Sequence, residues 1–248
     1  MGHKTSLLSN LIIIRNCFRQ KSFPACERNL KRLLERFNPD NSSHLLEIGV
    51  GYTLTDSLIL QYYYNFQQIT VNDINKILHP RTYAFASIIN PYNWTSKIFR
   101  FYFIGLILVF LFGINGLRNM KFTYLIGNIL DLEITRPTVV FSNAVLEHIP
   151  FQKLNSFFED LQGIGCESLI GIIDTNDHLY RALPPAYQFK DFSGTDEEIQ
   201  IRGNGLTALQ WTDIFQIVSA EGKIEPHIVD SSIIQGVLLF DFKLKSIN

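Results

Sequence analysis

The chain has 248 residues, enough for one α/β domain with a full core or for two small domains. Its net charge of −1 leaves no bulk basic character for nucleic acid, and its 46% hydrophobic and 13% aromatic content suits a globular protein with an apolar cleft or a membrane contact. Charged residues make up only 18%, and the three cysteines, Cys17, Cys26 and Cys166, lack metal-ligand spacing, so they read as free thiols of a reducing cytoplasm and no metal is expected.

At the N-terminus, Leu11–Ile14 is too short for a secretory core and is followed by Arg15 instead of a small-residue cleavage site. Met1–Ser6 formally fits a myristoylation pattern, but the match is short, and residues 1–40 read as a frayed leader followed by a helix. That helix covers 25–37, with Leu30, Leu33, Leu34 and Phe37 on one face, and Asn38-Pro39 stops it. His44–Ile48 then reads as a buried strand opening into a glycine-spaced turn, Gly49-Val50-Gly51. Leu54–Tyr64 is a predicted helix. Ile69–Asp73 is a short β-branched strand with an acid at its carboxyl end, where open parallel sheets bind ligands.

Residues 75–90 predict a helix interrupted early by His79-Pro80. The segment 92–120 that follows is an apolar insertion or cap. From Phe101 to Ile114 its only polar side-chain group is the Tyr102 hydroxyl, and Lys97, Arg100, Arg118 and Lys121 flank it. A spanning helix wants about 20 apolar residues. Stretching the run to 98–117 admits Arg100 and Asn115, which lipid disfavours. The run reads as a buried or lid helix, or as one making a peripheral membrane contact through 98–117; a true span is the weakest of the three readings.

Strands are expected at Phe122–Asn128, Thr138–Asn143 and Ser168–Asp174, with an amphipathic helix at Gln152–Gln162. Residues 177–205 hold Pro184, Pro185 and an acidic run and read as a lid loop. A helix at Leu206–Ala220 and two strands, Ile224–Val229 and Gly236–Phe242, finish a single domain over 1–248. The expected fold is α/β: a Rossmann-like open sheet of about seven strands. It is mostly parallel with an antiparallel C-terminal strand, has helices on both faces, and carries the apolar insertion between the second and third strands.

Glu47-Ile-Gly-Val-Gly51, Asp73, Gly127-Asn128 through Asp131, Phe141-Ser-Asn-Ala-Val-Leu-Glu-His-Ile-Pro150 and Ile173-Asp174 stand in that order at successive strand ends. The set resembles the class I S-adenosylmethionine-dependent methyltransferases. Ser142–Ile149 is especially similar to their small-molecule, type 11/12-like branch. The resemblance covers 44–175 by motif and extends to about 242 by topology.

It implies S-adenosylmethionine as cofactor, with its methionine portion at Gly49 and Gly51, where backbone can be approached closely. It implies Glu47 as the acid ordering that loop, Asp73 on the ribose hydroxyls, Asn128 and Ile129 at the adenine, and Asn143 beneath the methionine. Leu146, Glu147 and His148 would face the substrate. Two positions depart from the family: Asn128 replaces a frequent aspartate, and Thr53 stands where a third glycine is common; its hydroxyl could contact the cofactor carboxylate.

The implied reaction is methyl transfer to an oxygen, nitrogen or carbon of a small or lipophilic acceptor, with no nucleic acid involved. Where the acceptor is a hydroxyl, His148 or His178 is the candidate base. The residues alone leave other readings. Glu47 could be a buried acid capping amides, Asp73 a helix N-cap, and the glycines a tight turn. The whole could be a degenerate methyltransferase-like scaffold acting through its apolar insertion. A nicotinamide oxidoreductase shares the strand, loop and distal acid, but its third glycine is missing here.

Overall fold

The computed structural model describes residues 7–19, 21–37, 44–114, 121–128, 139–175, 206–234 and 237–244. Two compact units emerge, residues 1–132 and 133–248.

In the first unit, α1 (Leu7–Arg19) and α2 (Phe23–Arg36) precede β1 (His44–Ile48), α3 (Thr55–Tyr64) and β2 (Gln68–Asp73); α4 (Pro80–Ile89), a 3₁₀ turn (Pro91–Thr95), α5 (Lys97–Phe112) and β3 (Lys121–Ile126) follow. β1 pairs parallel with β2, and β2 parallel with β3. Every residue of β1 is buried, as expected of a parallel strand covered on both faces. Local chemistry sets the helix ends. Pro24 opens α2. Asn65, at φ 51°, closes α3 with its N–H on the Gln61 carbonyl. The Ser96 hydroxyl caps α5 by accepting from the Phe99 N–H, and Gly113 (φ 89°) ends it.

Two stretches differ from expectation. The segment taken for a frayed leader is helix α1, with Ile13 and Cys17 buried one turn apart. α1 is tied to α4 by the Thr82 hydroxyl donating to the Asn10 side chain (3.0 Å) and by the Asn90 amide donating to the Cys17 carbonyl (3.0 Å). The 75–90 helix begins only at Pro80, because His79 is its N-cap and accepts from the Thr82 N–H through Nδ1.

In the second unit, β4 (Val139–Asn143), a 3₁₀ turn (Leu146–His148), α6 (Phe151–Gly163), β5 (Ser168–Asp174), α7 (Ala208–Ala220), β6 (Ile224–Ile234) and β7 (Val237–Leu244) follow in order. β4 and β5 pair parallel, while β7 runs antiparallel to both β5 and β6. α7 starts on a reciprocal capping box between Thr207 and Gln210. Pro226 is tolerated because β6 is an edge strand with an irregular register there. Trp211, Phe215, Phe240 and Phe242 form the aromatic core of this unit.

The strands follow the order β3-β2-β1-β4-β5-β7-β6 in one seven-stranded, mostly parallel open sheet with helices around it. Cys17, Cys26 and Cys166 are buried, and none forms a disulfide among the described residues. Among the described residues no helix is long and apolar enough to cross a membrane. The 16-residue α5 buries Ile98, Phe99, Tyr102, Leu106 and Val109 and leaves its opposite face exposed. Residues 177–205, read as a lid, lie outside the described residues.

Candidate functional site

The carboxyl end of β2 ties together the two loops beside it. Gly49 (φ 65°) and Gly51 (φ 57°) both take left-handed backbone, which a side chain disfavours. That conformation turns the Gly51 N–H onto Asp73 Oδ2 at 2.9 Å. The Val50 N–H bonds the Asn72 carbonyl at 3.1 Å, so backbone and side chain of β2 both anchor the glycine loop. On the other side, the Gly127 N–H donates to the Asp73 carbonyl at 2.9 Å, and the Asn72 amide donates to the Gly127 carbonyl at 3.0 Å.

Asp73 Oδ1 accepts from the Asn75 N–H at 2.9 Å. Each carboxylate oxygen thus takes one backbone bond, and lone pairs remain for further donors. Asp73 is not a helix N-cap, since the next helix begins at Pro80 and is capped by His79. A methyl group added at Gly51 would meet nothing closer than the Gly49 carbonyl oxygen at 3.9 Å. The space over the loop is open, and a ligand could approach its backbone.

Glu47 sits one residue before the turn, but it faces inward. It is buried and accepts from the Ser57 hydroxyl in the first turn of α3. Burial, reinforced by nearby Asp56, pushes its carboxyl well above the ordinary range. Asp56 is itself buried and paired with Lys21 (3.3 Å), whose ammonium pKa is raised chiefly by that carboxylate. The Thr55 hydroxyl donates to the Lys21 carbonyl at 3.0 Å. The start of α3, directly behind the glycine loop, is thereby fastened to the N-terminal segment. Thr53 is buried, with its N–H on the Val50 carbonyl. Asn128 is exposed in the turn after β3.

In the second unit, Asn143 is half-buried at the end of β4. Ala144 follows at φ 56°, left-handed without being glycine, and its N–H bonds the Ile172 carbonyl at 2.9 Å. Glu147 is buried in the 3₁₀ turn and Oε1 accepts from the Asp174 N–H at 3.2 Å, while Oε2 is buried with no hydrogen bond among the described residues. Burial pushes its carboxyl up to about 8. His148 is half-buried, and its Nδ1 lies in the interior without a partner among the described residues.

Of the residues singled out in sequence, Gly51 and Asp73 are joined directly, and Gly49 lies in the same loop. Thr53 bonds within the same loop, and Asn128 lies next to the Gly127 clamp. Glu47 belongs to the layer beneath, and Ile129 and His178 lie outside the described residues. Asn72, Ser57, Asp56 and Lys21 were not anticipated. The adjacent polar pair Asn72-Asp73, ending an apolar strand, was the available signal for the first. A groove of about 540 Å³ on the first unit is lined by Glu27, Arg28, Lys31, Tyr63 and Lys97 among others. No glycine-loop residue lines it.

The chain matches no protein-family model and no curated protein in sequence. Solved structures are similar in fold. The PH0226 protein of Pyrococcus horikoshii matches with a TM-score of 0.54 at 13% identity, over 93% of this chain and 96% of that one. A chain from the complex between the Haloferax volcanii Trm112 methyltransferase activator and a methyltransferase matches with a TM-score of 0.56 at 10% identity, over 98% and 100%. The small RNA methyltransferase HEN1 matches with a TM-score of 0.55 at 16% identity, over 90% of this chain and 25% of that one. The chain has the Rossmann-like fold of class I S-adenosylmethionine-dependent methyltransferases.

Proposed function

We propose that the protein binds S-adenosylmethionine at the carboxyl end of β1 and β2 and transfers its methyl group to a small or lipophilic acceptor. One observation carries the reading: the Gly49–Gly51 loop takes left-handed backbone and is anchored by Asp73 at the end of a parallel strand. The fold supports it, because open α/β sheets bind nucleotide-type ligands at strand carboxyl ends. The residues present fit the cofactor, with open space over Gly51 and unused acceptor capacity on Asp73.

In this reading Gly49 and Gly51 would admit the methionine portion, Thr53 would meet its carboxylate, and Asp73 would hold the ribose hydroxyls. Asn128 and Ile129 would contact the adenine, and Asn143 would lie under the methionine. Glu47 would act indirectly, holding the first turn of α3 behind the loop through Ser57. When bound, S-adenosylmethionine supplies an electrophilic methyl on a sulfonium. The protein's part is to align the acceptor for in-line attack and keep water out. Where the acceptor is a hydroxyl, His148 or His178 would take its proton.

Incubating the purified chain with methyl-labelled S-adenosylmethionine and fractionated small-molecule and lipid extracts tests the reading. Label in an acceptor fraction, lost with Asp73→Ala, is expected; no transfer to any fraction by folded protein that binds the cofactor would refute methyl transfer.

A further inference from the structure

Charge is divided along this chain in a way its net value hides. Residues 1–26 and 74–130 contain ten lysines and arginines and no aspartate or glutamate. The remaining residues carry twelve such cations against all 23 acids. The described residues of the acid-free stretches include α1, α4 and α5 of the first unit, and α4 packs against both α1 and α5. Asn10 and Cys17 of α1 bond Thr82 and Asn90 at the two ends of α4, and Phe85 of α4 meets Phe110 of α5 with ring centroids 5.8 Å apart.

The outward side of these helices is apolar. Phe101 is 68% exposed, Ile104 65% and Phe112 67%, and Leu7 on α1 is 77% exposed. Phe85 and Ile89 of α4 are exposed as well. On α5, residues 97, 101, 104 and 111 follow helical spacing, so exposed Lys97 begins the same stripe that Phe101, Ile104 and Leu111 continue, with exposed Arg100 beside it. Cations at one end of an exposed apolar stripe are the arrangement that seats a helix at a lipid–water boundary.

We propose that α1, α4 and α5 form a docking surface for an anionic lipid bilayer. The exposed Phe, Leu and Ile side chains enter the acyl boundary, while Lys97 and Arg100 pair with acidic headgroups. α1, α4 and α5 carry no acid, although Glu27 and Glu35 of α2 line the groove that Lys97 borders; the helices' own charge selects this occupant over a second copy of the chain. A two-fold contact through this face would oppose two cationic patches. Aliphatic Ile104 and Leu111 offer no stacking platform for nucleic-acid bases. The proposal stands on these helices alone and does not rest on the methyl-transfer reading.

The test is co-sedimentation of the full chain with vesicles of phosphatidylcholine alone, and of phosphatidylcholine with about one-third phosphatidylserine, at low and high salt. The anionic vesicles are expected to bind the protein, with retention falling as salt rises. Each surface cation is worth roughly a fivefold change in partition. Lys97→Glu with Arg100→Glu should therefore weaken binding about thirtyfold or more, and Phe101→Ser with Ile104→Ser should abolish it. All four side chains are exposed, and circular dichroism checks that both variants fold.

Recovery of wild-type protein in the supernatant with every vesicle overturns the proposal. So does equal binding to neutral and anionic vesicles, or wild-type binding by a folded variant. A concentration-dependent dimer lost in Phe101→Ser with Ile104→Ser, or binding of a single-stranded RNA, without vesicle binding assigns the face to another partner and also overturns it. Calorimetry with S-adenosylmethionine on the same sample keeps a failure here distinct from a failure of the proposed activity.

Discussion

The Gly51 N–H donates to Asp73 Oδ2 at 2.9 Å across 22 residues of sequence. The same carboxylate accepts from the Asn75 N–H, so one side chain at the end of β2 holds two loops in place. Asp73→Ala removes both bonds and leaves two backbone donors to find water. It should cost about 2 kcal/mol of stability, read as a lower urea midpoint with unchanged slope. Asp73→Asn keeps one acceptor oxygen and should lose about half as much. A wild-type midpoint for Asp73→Ala would show that the loop is held some other way.

Gly171→Ala should be far more severe. A methyl group there would stand 1.9 Å from the Ser142 carbonyl oxygen and 2.8 Å from the Phe240 ring. The first neighbour is backbone of a paired strand, so it cannot swing aside, and a loss of about 4 kcal/mol or more is expected. Soluble yield and thermal midpoint report it. A variant within about 1 kcal/mol of wild type would contradict the close approach of β4 and β5 at this point.

Ala144 holds left-handed backbone (φ 56°) just beyond β4, at a cost of about 1–2 kcal/mol for a residue with a Cβ. Ala144→Gly relieves that strain but adds unfolded-state entropy worth about 0.5–1 kcal/mol. The net is a stabilisation of about 0.5 kcal/mol. Equilibrium urea unfolding measures it, and a destabilisation beyond about 1 kcal/mol would mean the strain is absent.

Glu147 makes folding pH-dependent. Its carboxyl pKa rises from 4.5 to about 8 on burial, so the folded state favours the neutral acid. The stabilising contribution is full below the unfolded value of 4.5 and drains away as pH climbs toward 8. At about 1.4 kcal/mol per pH unit, the upper bound over that window is about 5 kcal/mol. Glu147→Gln keeps an acceptor for the Asp174 N–H and removes the titration. Its stability should vary less between pH 5 and pH 8, the slope that remains coming from buried Glu47, whose carboxyl is raised over the same window. Equal pH slopes for the two proteins would show that Glu147 is not the group responsible.

The strands were legible because each is an apolar run closed by a polar residue: Ile69–Val71 by Asn72 and Asp73, Val139–Phe141 by Ser142 and Asn143. A mostly parallel sheet of about seven strands was expected from the alternation of those runs with helical patterns, while the order of the strands within it was not read from sequence. α1 was not legible, since Leu11–Ile14 is a short β-branched run with no acid or cap. Its helicity comes from burying Ile13 and Cys17, a tertiary effect that local propensity does not report. The Glu47–Ser57 bond, the Lys21–Asp56 pair and the Asn72 clamp on Gly127 join residues 10, 35 and 55 positions apart. Pattern reading sees neighbours along the chain, so Glu47 read equally as a loop acid or a buried one. The acid-free stretches were written in the composition all along, but the balanced total masked them.

Calorimetric titration of S-adenosylmethionine into the folded wild-type chain and into Asp73→Ala is the most direct test of the central claim. Binding in the micromolar range, at one site per chain and weakened at least about tenfold by Asp73→Ala, is the predicted result. No heat and no thermal shift with a folded wild-type sample, or equal affinity in the two proteins, would contradict it.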